Sequence, residues 1–125
     1  MTESHPAQVS SDARRAISRS VVSLLKEHLG RGPVKAKTHI NEDSVLVLMY
    51  EGHTVSEKTL SDDGQSKAVA SQRVKASEAL RERLTAVIEA ETGRKVFGYM
   101  TSSQQEPSLL SFVFVLDSSD LLDPN

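Results

Sequence analysis

Residues 45–50 and 109–116 constrain the fold more than any other part of the chain. The first stretch reads Val-Leu-Val-Leu-Met-Tyr, and the second is apolar at every position but Ser111. Strand side chains alternate between two faces, so a strand with one wet face is apolar only at every second residue. Here both sets are apolar. Val45, Val47 and Met49 oppose Leu46, Leu48 and Tyr50, while Leu110, Phe112, Phe114 and Leu116 oppose Leu109, Val113 and Val115. Both stretches therefore belong in the middle of a sheet, with apolar matter on each side. Neither approaches the ~20 residues that a membrane-crossing helix needs.

The flanking pattern supplies the rest of an α+β domain. Ala13, Ile17, Val21, Leu24, Leu25 and Leu29 recur every three or four residues, which predicts a helix over 11–29. Ser10, Ser11 or Asp12 can cap its start, and Gly30 followed by Pro33 ends it. From Val34 the period becomes two, with Ala36, Thr38 and Ile40 on one side and Lys35, Lys37 and His39 on the other. Asn41-Glu42-Asp43 then makes the turn of a hairpin with 44–51. Thr54 and Glu57 have capping-box spacing for a short helical turn through Leu60. A long helix is expected over 65–92, closed by Gly93, then strands over 95–102 and 109–116 around a turn at 104–108.

The expected order is α-β-β-α-β-β, with a four-stranded antiparallel sheet and two main helices. Its halves look repeated, since each runs from a helix through Gly-Arg (Gly30-Arg31, Gly93-Arg94) into a valine-led hairpin. Moving the last strand to the front gives the ferredoxin-like order, so a circularly permuted ferredoxin-like arrangement is expected. It would place strands two and four centrally and strands one and three at the edges, where Pro33 and the lysines guard strand one. One domain of residues 11–117 is expected between a disordered tail (1–10) and a flexible tail (118–125).

Two helices on one side of such a sheet would leave the other side bare and apolar. A homodimer through the sheet would cover it; one helix on each face is the alternative. A homodimer is the expectation adopted. With no cysteine in the chain, disulfides, thiolate metal sites and cysteine nucleophiles are excluded. The formal charge of −2, with both signs interspersed, gives no general pull toward nucleic acid or anionic lipid. The polar residues 1–9 lack the apolar stretch of a secretory signal. A cytoplasmic protein with no direct membrane insertion is the expectation.

No catalytic constellation emerges. The glycines of Gly30-Arg31-Gly32-Pro33 follow a helix end, whereas phosphate loops lead into a helix start; they read as a cap. The serines lack nucleophile motifs, and Glu57, Asp62, Asp63, Glu89 and Glu91 lie at caps or on polar helix faces. His39 and His53, with Glu51, would make a poor metal set, and no metal or cofactor is expected. His28, near a helix end, suits the last carbonyls. Arg31, Lys35, Lys37 and His39 would line one sheet edge, with Arg94 and Lys95 equivalent in the second half. That stripe either binds an anionic ligand or acidic partner, or merely solubilises an edge.

Residues 29–33 (Leu-Gly-Arg-Gly-Pro) leading into Lys35-Ala36-Lys37, then Thr54, Glu57, Leu60 and Gly64, then Thr92-Gly93-Arg94-Lys95-Val96, together resemble the bacterial MpsC-like family. That family is named after a sodium-translocating, membrane-potential-generating system. The likeness spans about residues 11–116. It departs at Thr101-Ser102-Ser103-Gln104, where an aspartate would be expected. The resemblance implies a non-enzymatic accessory or regulatory protein, tied to a membrane complex for ion or inorganic-carbon transport. It brings no catalytic residues. The alternative is a small-anion or nucleotide sensor, with the ligand held where the two Gly-Arg turns approach.

Overall fold

A computed structural model describes residues 6–29, 33, 35–50, 55–105 and 107–117. Four helices and four strands follow in the order α1 (Pro6–Leu29), β1 (Lys35–Ile40), β2 (Ser44–Tyr50), α2 (Val55–Asp62), α3 (Ser66–Ala79), α4 (Arg81–Thr92), β3 (Val96–Gln105) and β4 (Ser108–Leu116). The sheet order is β1-β2-β4-β3, and every neighbouring pair is antiparallel. This is the order of a ferredoxin-like sheet whose chain begins one strand later. The two apolar stretches form the central strands, as their patterning requires.

The core lies on one side of the sheet. Ile17, Val21 and Leu25 of α1 meet Leu84 and Ile88 of α4 over Val45, Val47 and Met49 of β2 and Phe112 and Phe114 of β4. All of these side chains are within 1% of complete burial. Tyr99 joins Phe112 and Phe114 there, with ring centroids 5.9 and 5.2 Å away. The three aromatics supply bulk to a core otherwise filled by aliphatic side chains.

Three local features differ from expectation. Helix α1 begins at Pro6, ahead of residue 11; proline at a first helical position loses no needed amide donor and presets φ. The long helix expected over 65–92 is divided at Leu80, whose φ and ψ are −98° and 7°. Its N–H reaches back three residues to the Ser77 carbonyl at 3.1 Å, a tightened turn that redirects the chain. Helix α3 thereby packs along β3 while α4 packs against α1. The turn between β3 and β4 is shorter than expected, because pairing continues to Gln105 and Ser108. Residues 101–104 therefore lie inside a strand.

Gly93 ends α4 as anticipated. Its φ of 69° is left-handed, and its N–H donates to the Glu89 carbonyl at 2.9 Å. The Glu89 carboxylate then accepts from the Val96 N–H at 2.9 Å, fixing where β3 starts. Gly30, Gly52 and the tails at 1–5 and 118–125 lie outside the described residues.

A buried ion pair holds α2 in place. Arg73 of α3, 6% exposed, donates from Nε and Nη2 to the two Glu57 carboxylate oxygens at 3.1 and 2.9 Å. Its Nη1 donates to Ser108 Oγ at 2.6 Å, so one guanidinium joins α2, α3 and the start of β4. Expected as capping and surface charge, both residues are structural.

Candidate functional site

With all four helices on one side, the sheet has a bare face. Strand register arranges its side chains in rows across β1, β2, β4 and β3. Lys35, Tyr50, Leu109 and Gln104 form one row, and Lys37, Leu48, Ser111 and Ser102 the next. His39, Leu46, Val113 and Met100 form the third. Leu48, Tyr50, Phe97 and Met100 are 41, 48, 60 and 57% exposed. The middle of this face is apolar, one margin carries Lys35 and Lys37, and the other carries the neutral Ser102 and Gln104.

Phe97 and Met100 were not singled out by sequence reasoning. The usable signal was Gly98, since an isolated glycine in a strand marks a bulge or a close approach. The register slips between Val96 and Gly98, and a Cβ on Gly98 would meet the Val115 side chain at 3.4 Å. The slip leaves Phe97 outside the ladder register, 60% exposed on the edge strand.

The proposed basic residues are not gathered at one point. Lys35 begins β1 in the row that ends at Gln104, while Val96 begins β3 beside Leu116 at the other end of the sheet. Lys35 and Lys95 thus stand at diagonally opposite corners. Strand spacings of ~4.8 Å and a rise of ~3.3 Å per residue put them roughly 30 Å apart. They are equivalent positions in the two halves, but no anion can bridge them. Arg31 lies outside the described residues. Arg94 turns to its own neighbour, with Nε 3.7 Å from Asp117 Oδ1. His39 sits half-buried in the third row, and His53 and Glu51 lie outside the described residues. Among the described residues no three of His, Asp and Glu are placed to share a metal ion.

A groove of about 470 Å³ lies between α4 and β3, lined in part by Arg81, Glu89, Phe97 and Tyr99. The Arg81 guanidinium lies 5.7 Å from the Tyr99 ring centre, a cation–π arrangement. Tyr99 donates its hydroxyl proton to the Ser77 carbonyl at 3.3 Å. Burial pushes its phenol from 10.0 up to about 12, with Glu78 adding to the rise and Arg81 opposing it. The unfolded chain loses this proton first, so stability is expected to fall as pH rises from about 10 to about 12. A tyrosinate absorbance titration checks this: the step removed by Tyr99→Phe should have its midpoint near 12. A midpoint near 10 would mean the ring is hydrated.

The family model described as "Na+-translocating membrane potential-generating system (MpsC)" matches residues 10–118. The chain belongs to the MpsC family. The resemblance carried by the two Gly-Arg motifs is thereby established over nearly the same span. No curated protein and no solved structure matches the chain. No described helix of this MpsC protein is long and apolar enough to cross a membrane.

Proposed function

We propose that this MpsC protein is a non-enzymatic accessory or regulatory subunit of a membrane ion-transport system, acting from the cytoplasm as a homodimer built through the bare face of its sheet. The observation that carries this reading is the apolar surface of that face, with Leu48, Tyr50 and Met100 all more than 40% exposed. Monomeric proteins rarely leave such a patch in water. The family description supplies the link to a sodium-dependent system.

The margins suit two copies facing each other. A two-fold axis running along the strands would set Lys35 and Lys37 of one copy over Ser102 and Gln104 of the other, so the lysines do not meet. Stacked sheets pack about 10 Å apart, and an ordinary interface buries roughly 800 Å² per partner.

Light scattering at micromolar concentration tests the assembly. The wild type is expected at twice the 13.7 kDa chain mass. Leu48→Asp with Met100→Asp should give a folded particle of one chain mass, because two charges would be buried unpaired. In cells, that variant should impair sodium-dependent membrane potential as the deletion does. A single-chain mass for the wild type would reject the dimer; an unchanged potential on deletion would reject the transport role.

A further inference from the structure

A second surface lies between α1 and the edge strand β1. Arg14, Arg15 and Arg19 form its helical wall, and residues 36–38 of β1 form the opposite side. The groove is about 410 Å³, with Ser18 and Thr38 at its floor, their hydroxyls 2.7 Å apart. Among the described residues no carboxylate lines it. Arg15 and Arg19 are exposed, Arg14 is half-buried, and none of the three arginines is in an ion pair among the described residues.

Three arginines around one depression, with no described carboxylate beside them, are unexpected in a chain of net charge −2. Elsewhere on the surface both signs alternate, as in Arg81-Glu82-Arg83 on α4. Concentration of one sign in a concave site focuses the field toward anions. On the sequence alone these arginines belong only to the polar side of a helix, because the strand that completes the groove lies some twenty residues away.

We infer that this groove binds an acidic peptide segment of a partner protein, its carboxylates paired with Arg14, Arg15 and Arg19. The shape favours an extended chain over a compact ligand. At 1.5 Å per residue, the stretch from Ser11 to Arg19 runs ~12 Å along α1, which about four extended residues would span. Arginine forks suit carboxylates in two-point contacts. No aromatic ring lines the groove to stack a base, and no helix N-terminus or glycine loop cradles a phosphate. Nucleic acid would need a longer basic track than one stretch of helix supplies. The inference deepens the accessory reading by giving the docking surface a chemistry. The groove is on the helical side of the sheet, so a dimer through the bare face leaves it open.

The test measures fluorescence anisotropy of a labelled acidic peptide of about six alternating Glu and Asp residues, at about 20 and about 200 mM salt. Saturable binding at low salt is expected, weakened at high salt. Arg15→Glu with Arg19→Glu should weaken it by about tenfold or more. Lys67→Glu with Lys75→Glu, the same charge change on exposed α3 positions, should shift it less than about twofold. Both arginines are exposed, so circular dichroism should report an unchanged fold; Arg19→Gln gives a milder second variant. Absence of peptide binding at low salt, or equal loss in the α3 control, overturns the proposal. So does displacement by tripolyphosphate at lower concentration than by unlabelled peptide, which would make the groove a phosphate site. Light scattering on the same variants separates the two readings, since groove variants should stay dimeric whatever the peptide does.

Discussion

Glu57→Ala is expected to cost about 3 kcal/mol of stability, far more than removal of a surface carboxylate. The partner it abandons, Arg73, is 6% exposed, and two of its nitrogens face the missing oxygens. A charge kept from water by α2, α3 and β4 cannot be rehydrated without opening the fold there. Denaturant unfolding followed by circular dichroism measures the loss. Combining Glu57→Leu with Arg73→Met should recover much of it, because removing both charges leaves no ion without its partner. A cost below about 1 kcal/mol for Glu57→Ala would mean that water reaches the guanidinium and that the pair behaves as a surface bridge.

Phe112→Ala should cost about 3–5 kcal/mol. The ring is fully buried at the centre of β4, and it meets Tyr99 at 5.9 Å and Phe114 at 6.4 Å between centroids. Helices and sheet both press on this position, so the space would not close. Phe112→Leu should cost clearly less, since most of the volume remains. Val113→Ala, one residue away on the bare face, should change the stability of an isolated chain by less than about 1 kcal/mol. It would weaken the dimer instead. Chemical denaturation across a range of protein concentrations separates these effects: Phe112→Ala moves the midpoint at every concentration, whereas Val113→Ala moves the concentration dependence. Equal losses at both positions would mean that the two faces are similarly covered.

Much of the architecture was legible in period and polarity. Continuous apolarity at 45–50 and 109–116 marked the central strands, and Pro33 with Lys35 and Lys37 marked an edge. Gly93 marked the end of α4 because a left-handed residue was needed there. The division at Leu80 was not legible, since Glu78, Ala79, Leu80 and Arg81 are all good helix formers; packing against two different neighbours bends the chain. The Glu57–Arg73 pair escaped notice because sixteen positions separate residues whose types usually mean solvated surface. The basic groove was not legible, because its arginines lie on α1 and the strand that completes it follows some twenty residues later. Pattern alone also could not place the paired lysines: the antiparallel sheet sends Lys35 and Lys95 to opposite corners.

The last strand made is a middle strand, and this has a consequence for biogenesis. Until Leu116 leaves the ribosome, the first hairpin and β3 have no common neighbour, and α1 and α4 have only half a floor to settle on. Val47 must find Phe112 across most of the chain, a closure that local hairpins cannot hasten. Synthesis at roughly 5–20 residues per second therefore leaves a greasy, unfinished intermediate exposed for seconds. Chaperone demand should concentrate in that interval and end abruptly once β4 slots home.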